Sequence, residues 1–260
     1  MAIAQLLGDK AEAVPCPQFE LVFRAVAEGQ VDAAMIPVEN TLHGSVHENY
    51  DHLLRFELPI VAETSVRIVH NLIACKGTTL AKVTRVFSHP VALNQCLDFF
   101  RANPQFEKVP FYDTAGSVKM VAEEQPEGAA AIASSLAASL YDCRILKRSI
   151  EDDRQNFTRF VLLQREAVER PAGPKGYKTS LVFSTRNVSG ALFRALSAFA
   201  LRDISLTKIE SRPLRGKPWE YLFYLDFLGH TSEPRVVNAL NHLRELADML
   251  RVLGCYPRWS

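Results

Sequence analysis

The sequence lacks the features that mark membrane, secreted and nucleic-acid-binding proteins. It contains no apolar run long enough to span a bilayer, and residues 1–13 have no basic leader and carry acids early, unlike a signal peptide. The five cysteines are odd in number and form no C-x-x-C pair, which indicates reduced core thiols and a cytoplasmic location. The formal net charge is only +1, so nothing in the composition suggests a nucleic acid or a membrane surface as a partner.

Motifs for nucleotide binding and for serine hydrolysis are also missing. The sequence contains no G-x-G-x-x-G, no P-loop and no G-x-S-x-G elbow. His43, His47 and His52 lie close together, but no H-E-x-x-H pattern accompanies them and Gly44 weakens a helix at this point. We therefore expect no nucleotide site and no metal site.

A proline- and glycine-rich segment predicts one boundary between domains. Residues 166–177 contain two prolines and two glycines and show no apolar periodicity, which is typical of a linker. Before it, short apolar strands alternate with helical stretches, a pattern that favours α/β architecture with a largely parallel sheet or sheets. The predicted strands cover residues 33–37, 85–88, 109–113, 129–133 and 156–163, and the helices begin near Val91 and cover 116–124 and 134–141.

The order of elements changes after the linker. Strands are predicted at residues 179–184, 205–211, 221–227 and 251–256, and helices at 190–201 and 233–250. Ser232 is the expected N-cap of the second helix. The resulting order, βαββαβ, is the ferredoxin-like arrangement.

Polar residues gather at the predicted strand ends, where ligands bind in open α/β sheets. Small polar side chains and free amides at helix starts attract carboxylates and phosphates, so these ends predict an anion pocket. The alternative for Thr114 and Ser134 is a simple helix N-cap. The residues at these ends are Glu39, Asn40, Thr41, Ser88, His89, Thr114 and Ser134.

Arg159 stands inside an apolar strand, between Phe157 and Val161. A buried guanidinium is costly unless it is paired, and its planar fork suits a carboxylate. Two interpretations remain open from spacing alone. Arg159 binds the carboxylate of a ligand, or it forms a salt bridge to a nearby acid such as Glu151 or Asp153.

Two segments after the linker have both a ligand-binding and a purely structural interpretation. Gly190 opens a helix after Asn187, where backbone can approach a ligand closely, and the segment from Glu210 to Pro213 ends a strand. The structural alternatives are a strand–helix turn and a strand terminus, which Pro213 would stop.

Together these segments resemble the prephenate dehydratase family over nearly the whole chain. The quoted motifs stand in the order that the family has. They are Ile36-Pro37-Val38-Glu39-Asn40-Thr41 with Gly44-Ser45-Val46, Ser88-His89-Pro90 with Ala92-Leu93, Thr158-Arg159-Phe160, Gly190-Ala191-Leu192, and Glu210-Ser211-Arg212-Pro213.

The resemblance implies a fold and an activity. The catalytic domain, residues 1–165, would be a two-lobed α/β region similar to type II periplasmic binding proteins, with lobe 1 at about 1–70 and 150–165 and lobe 2 at about 71–149. The chain would cross between lobes near residues 67–72 and Ile150. A regulatory ACT domain would follow at 178–257. The expected reaction is the decarboxylating dehydration of prephenate to phenylpyruvate, without metal or organic cofactor, inhibited by phenylalanine in a homodimer or dimer of dimers.

The resemblance also assigns residues to sites. Thr158, Arg159 and Phe160 would carry catalysis, with Thr158 at the leaving hydroxyl and His89 as the alternative proton donor. The expected substrate-binding residues are Glu39, Asn40, Thr41, Ser88, His89 and Thr114. The expected phenylalanine-binding residues are Asn187, Gly190, Ala191, Leu192, Glu210, Ser211, Arg212 and Pro213.

The sequence departs from the family pattern at three places. The first strand of the family, with its G-x-x-G-T-F-S segment, has no counterpart here, which puts full activity in question, and a misplaced start codon is one hypothesis. Val91 replaces a glutamine and Ser189 a proline. Two alternatives stay open, an arogenate dehydratase, which the segment 113–116 resembles, and a non-catalytic amino-acid sensor.

Overall fold

The structure is a computed structural model that describes residues 1–8, 11–173, 176–214, 216 and 219–259. Pro174 and Lys175 of the predicted linker lie outside the described residues. The chain divides into two compact units. Unit 1 contains Met1, Asn40–His43 and Val66–Thr158, and unit 2 contains Ala2–Glu39, Gly44–Ser65 and Arg159–Ser260.

Unit 1 is built on a five-stranded mixed sheet in the order β6-β5-β7-β4-β8. Strands β5, β6 and β7 are parallel, whereas β4 runs antiparallel to β7 and β8. Separate apolar clusters cover the two faces of this sheet, around Phe99 and around Val118. Its elements are β4 (Asn71–Ala74), β5 (Arg85–Ser88), α4 (Pro90–Asn94), α5 (Leu97–Ala102), β6 (Glu107–Pro110), α6 (Thr114–Glu124), β7 (Ala129–Ala133), α7 (Ser135–Leu140) and β8 (Arg144–Lys147).

The parallel strands bring three helix starts to one edge of this sheet, because the carboxyl ends of parallel strands meet there. Helices α4, α6 and α7 each follow one of these strands. The sequence placed β5 and β7 correctly. It placed β6 too late, because Asp113 is not in a strand but caps α6, where its carboxylate accepts a hydrogen bond from the Gly116 amide at 2.7 Å.

A second sheet, in the order β2-β1-β9-β3, belongs mainly to unit 2, although Asn40 of β1, the last two residues of β3 and the first two residues of β9 belong to unit 1. Apolar side chains of α2, Phe23 and Val26, are fully buried against it. None of the helices among the described residues is long and apolar enough to cross a membrane. The elements are α1 (Ala2–Leu7), α2 (Phe19–Ala27), β1 (Ala34–Asn40), β2 (Gly44–Ser45), α3 (His47–Phe56), β3 (Ile60–Arg67) and β9 (Phe157–Leu163).

The C-terminal part of unit 2 confirms the βαββαβ order. Its sheet, β11-β12-β10-β13, is antiparallel throughout, and both helices pack on one face around Phe199 and Leu243. The elements are β10 (Tyr177–Ser184), α8 (Ala191–Ala200), β11 (Leu206–Pro213), β12 (Tyr221–Leu228), α9 (Pro234–Leu246) and β13 (Met249–Pro257).

Two predictions about α9 were wrong. The helix ends at Leu246 and not at residue 250, because Met249 already pairs with Ser184 in the sheet. Glu233 occupies the N-cap position instead of Ser232, whose hydroxyl lies 2.7 Å from the ring of His230.

The opposite face of the C-terminal sheet packs on β1, α3 and β9. Val182, Tyr224 and Leu253 share one apolar core with residues of β1, α3 and β9 such as Ile36. The approach is closest at Gly254, where an added Cβ would lie 2.1 Å from the Ile60 carbonyl oxygen. Only glycine allows this contact between β13 and β3.

We predict that Gly254→Ala destabilises the protein by about 1–3 kcal/mol, the usual cost of overpacking, because the new methyl group meets backbone that cannot yield. Urea unfolding measures this change. Gly173→Ala is the matched control, since its nearest atom lies 3.9 Å from the added Cβ. Equal stability of the two variants would show that β13 and β3 do not approach this closely.

Candidate functional site

Asn40 and Thr158 form the centre of the candidate site in unit 1. The Asn40 side-chain amide donates to the Thr158 hydroxyl oxygen at 3.0 Å, and it also lies 2.7 Å from Asn156 Oδ1 and 3.1 Å from the Phe157 carbonyl oxygen. Because the Thr158 hydroxyl accepts this bond, its own proton remains available for donation to a ligand.

The orientation of the Asn40 amide follows from its hydrogen bonds. Its oxygen accepts from the backbone amides of Leu42 and His43, both at 3.0 Å, so its nitrogen must point toward Thr158. Thr41 also joins the end of β1 to the start of β9, a contact that we call the junction. Its hydroxyl donates to the Gln155 carbonyl at 2.8 Å and accepts from the Phe157 amide at 2.9 Å. The hydroxyl of Thr41 therefore has a structural use.

A cavity of about 180 Å³ lies beside this centre, within unit 1. Asn156 is 1% exposed, and its side-chain nitrogen has no hydrogen-bond partner among the described residues. An unpaired buried donor is costly, and Asn156 is one of the residues that form the wall of this cavity. The lining residues are Leu42, His43, Asn94, Gln95, Glu151, Asp152, Asp153 and Asn156.

Gln95 links the rings of two histidines, of which His43 lines this cavity. Its side-chain nitrogen lies 3.2 Å from His43 Nδ1, and its oxygen lies 2.7 Å from His70 Nε2. His70 is buried, and its backbone amide donates to Glu151 at 3.0 Å. The ring of His43 is thereby held between Gln95 and Asn40 Oδ1, which lies 3.2 Å from its Nδ1 atom.

The acidic residues at the cavity already have partners. Glu151 pairs with Arg67 at 3.1 Å, and Asp152 accepts from the backbone amides of Leu97 and Asp98. Asp153 accepts from the Gln155 amide at 2.7 Å. These carboxylates therefore fix the walls of the cavity and do not pair with Arg159.

Arg159 pairs with acids of β3 and β12 within unit 2. Its Nε atom lies 2.8 Å from Glu63 Oε2, Nη1 lies 2.6 Å from Asp226 Oδ2, and Nη2 donates to the Tyr256 hydroxyl at 3.0 Å. Burial alone lowers its pKa, but Asp226, Tyr256 and Glu63 outweigh burial and hold the pKa of the guanidinium above its usual value. Arg159 therefore stays charged, and its fork is already occupied by protein groups.

Glu39 also directs its carboxylate to protein cations. It lies 3.2 Å from Lys208 Nζ on β11 and 3.9 Å from Arg159 Nη1. Lys208 in turn donates to the Ser45 hydroxyl at 2.8 Å. Glu39 thus belongs to an ion-pair network of unit 2, although the sequence placed it beside Asn40 in one substrate-binding group.

The remaining predicted substrate residues lie at the strand edge of unit 1. The buried Ser88 hydroxyl donates to the Ile132 carbonyl at 2.7 Å, and His89 caps α4 by accepting from the Val91 amide at 3.2 Å. Thr114 begins α6, so it is not the N-cap, whereas Ser134 caps α7 as the structural alternative predicted. Phe160 lies half-buried in β9. Substrate contact by these residues stays a prediction.

Four predicted effector residues line a second cavity of about 180 Å³ in the C-terminal part of unit 2. Gly190 precedes α8 with a φ of +76°, a left-handed conformation that suits glycine. The lining residues are Thr185, Arg186, Asn187, Val188, Gly190, Ala191, Leu192, Phe193, Tyr221 and Phe223.

The predicted effector motif at residues 210–213 divides between the two faces of its strand. Ser211 and Pro213 pair with Phe223 and Tyr221, so they share the face that carries the second cavity. Glu210 and Arg212 point to the opposite face. Glu210 accepts from the Ser45 hydroxyl at 2.8 Å, and Arg212 pairs with Asp51 at 3.1 Å.

The three clustered histidines have separate partners. His43 contacts Asn40 and Gln95, His47 lies 3.8 Å from Glu210, and His52 lies 3.4 Å from Glu48. Among the described residues, no group of three or more His, Cys, Asp or Glu side chains could hold a metal ion.

Sequence reasoning missed Gln95, Asn156, Lys208 and Asp226. One signal was available, since Asp226 is the only acid in the otherwise apolar strand Tyr221–Leu228, just as Arg159 is the only charge in β9. Two opposite charges in two apolar strands favour a buried pair. Gln95 carries no such signal.

Comparisons with known proteins agree with the order of these elements. The prephenate dehydratase profile matches residues 1–168, and the ACT domain profile matches residues 179–245. Arogenate dehydratase/prephenate dehydratase 2 of Arabidopsis thaliana is 46% identical and arogenate dehydratase 2 of Petunia hybrida is also 46% identical. Each match covers 95% of this chain but 66% of the relative, so the chain spans slightly less than two thirds of these curated proteins.

Two solved structures are similar over nearly the whole chain. A prephenate dehydratase from Arthrobacter aurescens in complex with L-Phe has a TM-score of 0.89 at 32% identity, covering 99% of this chain and 85% of that one. GqqA, described as a novel type of quorum-quenching acylase, has a TM-score of 0.92 at 34% identity, covering 100% and 93%.

We predict that Asn40→Ala lowers the free energy of unfolding by about 1–3 kcal/mol, because the Leu42 and His43 amides and Asn156 Oδ1 lose their partner. Urea unfolding measures this change. Gln155→Ala is the control, because Gln155 is exposed and contributes only its backbone to the junction, so its effect should stay within about 0.5 kcal/mol. A neutral Asn40→Ala variant would contradict the hydrogen-bond arrangement.

Proposed function

We propose that this chain, which belongs to the prephenate dehydratase family, catalyses the decarboxylating dehydration of prephenate to phenylpyruvate for phenylalanine biosynthesis. One observation carries the proposal. The Thr158 hydroxyl accepts a hydrogen bond from Asn40, and Asn156, which has an unpaired side-chain nitrogen, forms part of the wall of the cavity of unit 1. A hydroxyl with a free proton and a polar cavity are what the expulsion of water from an anionic substrate requires.

The reaction breaks two bonds and forms an aromatic ring. The C–C bond to the ring carboxylate breaks and releases carbon dioxide, its electron pair enters the ring, and the C–O bond to the ring hydroxyl breaks. The departing oxygen takes up one proton and leaves as water. Aromatisation drives the reaction, so the protein has to position the substrate and stabilise the leaving oxygen.

Thr158 is the residue that we assign to the leaving oxygen. A threonine hydroxyl is a weak acid, so it acts mainly as a fixed hydrogen-bond donor. Asn40 supports this role, because a hydroxyl that accepts a hydrogen bond becomes a stronger donor. His43, which Gln95 and Asn40 hold at the same cavity, is the group that we assign to supply the proton that the leaving oxygen takes up.

The substrate carboxylates need donors other than Arg159. The acids Glu63 and Asp226 occupy its guanidinium, so we assign Arg159 a supporting role at the strand and not a direct bond to substrate. Asn156, whose side-chain nitrogen is unpaired and which forms part of the cavity wall, is the residue that we assign to a substrate carboxylate.

Arogenate is the second candidate substrate. The curated relatives from Arabidopsis thaliana and Petunia hybrida are named as arogenate dehydratases, and the first also as a prephenate dehydratase. Arogenate undergoes the same two bond cleavages and differs only in carrying an amino group in place of the keto group. The same Thr158 chemistry therefore serves both substrates.

Phenylalanine is the effector that we propose for the ACT domain. The similar structure from Arthrobacter aurescens contains L-Phe, and in this chain Asn187, Gly190 and Leu192 line a cavity with the aromatic rings of Phe193 and Tyr221. The amides at the start of α8 would meet the carboxylate of the amino acid.

We also propose that the protein forms a homodimer or a dimer of dimers in the cytoplasm. Large apolar side chains of the ACT domain are exposed, including Phe193 at 76% and Leu201 at 75%, and pairing with a second copy would cover them. The five cysteines are free thiols, as a reducing compartment requires.

We predict that Thr158→Val lowers kcat on the preferred substrate by about 10²–10⁴-fold, the usual contribution of a positioned proton donor, with little change in KM. Valine keeps the shape of threonine and removes only the hydroxyl. Formation of phenylpyruvate from prephenate and of phenylalanine from arogenate measures both the variant and the substrate preference.

Thr158→Ser is the matched control, because serine keeps the hydroxyl and should retain most of the turnover. Wild-type turnover in Thr158→Val would reject the role of this residue. Wild-type protein that converts neither substrate, or that shows acylase activity alone, would reject the proposed function.

A further inference from the structure

The two residues at the centre of the site each have a charged neighbour in sequence. Glu39 precedes Asn40 at the end of β1, and Arg159 follows Thr158 near the start of β9. Asn40 and Thr158 are joined by their 3.0 Å hydrogen bond, and Glu39 and Arg159 lie 3.9 Å apart.

The ACT domain holds both charged neighbours through adjacent strands. Lys208 of β11 pairs with Glu39 at 3.2 Å, and Asp226 of β12 pairs with Arg159 at 2.6 Å. Lys208 and Asp226 are direct cross-strand partners in the sheet. One cross-strand pair of β11 and β12 therefore binds both residues that adjoin the candidate site in sequence.

The opposite face of the same two strands carries the effector cavity. Tyr221 and Phe223 of β12 line that cavity, and their partners on β11 are Pro213 and Ser211. Strand alternation places the even-numbered Asp226 on the other side of the sheet from these odd-numbered residues. A ligand that moves Phe223 also moves the backbone that carries Asp226, three residues away.

We propose that Lys208 and Asp226 are positioning residues that transmit the state of the effector cavity to Asn40 and Thr158, by way of Glu39 and Arg159. This inference rests on the proposed function and adds the route of its regulation. A displacement of this cross-strand pair pulls on both charged neighbours, and the hydrogen bond between Asn40 and Thr158 lengthens or turns.

The burial of these ion pairs suits them to this role. The side chain of Lys208 is 7% exposed, that of Asp226 9% and that of Arg159 16%, whereas that of Glu39 is 38% exposed, so three of the four charges are buried. A buried charge that loses its partner is strongly unfavourable, so the pairs persist while the strands move and the strands must move together. Exposed pairs would instead exchange with water.

Two variants test this transmission, each of which removes one charge and nearly keeps the size of the side chain. Asp226→Asn and Lys208→Gln should bind phenylalanine within about threefold of wild type, while the phenylalanine concentration for half-inhibition rises by about tenfold or more, within the range of typical allosteric couplings. Calorimetry measures binding, and initial rates with saturating and limiting substrate separate effects on kcat from effects on KM.

Arg251→Gln is the matched control. Arg251 of β13 also joins the ACT sheet to a catalytic segment, through Glu57 at 2.9 Å and the Leu54 carbonyl at 3.0 Å, but neither partner adjoins Asn40 or Thr158. Its inhibition curve should match wild type. If Asp226→Asn does not fold, as circular dichroism would show, Lys208→Gln decides the question.

Wild-type inhibition in both variants would overturn the inference, and so would a loss of phenylalanine binding that matches the loss of inhibition. An equal loss of inhibition in Arg251→Gln would also overturn it, because any contact with the ACT sheet would then serve. A lack of turnover in the wild-type protein would instead reject the proposed function. The two failures are distinguishable because phenylalanine binding is measured without turnover.

Discussion

The buried guanidinium of Arg159 is the constraint around which the rest of unit 2 is arranged. A permanent charge in an apolar strand must be neutralised inside the protein, because its desolvation is not recovered otherwise. Glu63 of β3 supplies one carboxylate and Asp226 of β12 the other, with the Tyr256 hydroxyl as a third partner. The ACT sheet therefore supplies a carboxylate that Arg159 of β9 needs, in addition to the apolar core that the two parts share.

Strand alternation places neighbouring side chains of these strands on different faces. On β9 it separates Thr158 from Arg159, and on β12 it separates Phe223 from Asp226. The proposed chemistry, the ion pairs and the proposed effector cavity would thus occupy different faces of adjoining strands. The close contact at Gly254 keeps the ACT sheet near β3, where Glu63 meets Arg159.

The parts of the structure that depend on local pattern were predictable from the sequence. Apolar runs predicted β5 and β7, and apolar runs together with helical spacing predicted the ferredoxin-like order of the ACT domain. The pairing of Arg159 was predictable only in part. Its position in an apolar strand implies an acidic partner, but the partners themselves, Glu63 and Asp226, are 96 and 67 residues away in sequence. Short strands such as β4 (Asn71–Ala74) were missed, because four buried residues show no period.

The most direct measurement of the central ion pair is a double-mutant cycle on turnover with Arg159→Gln, Asp226→Asn and the variant that carries both changes. We expect Arg159→Gln to lower kcat with little effect on KM, and the double variant to lose no more turnover than Arg159→Gln alone, since both changes remove one interaction. Losses that multiply, or a KM that rises in Arg159→Gln as a substrate ligand would require, would show that Arg159 binds substrate and that Asp226 acts elsewhere.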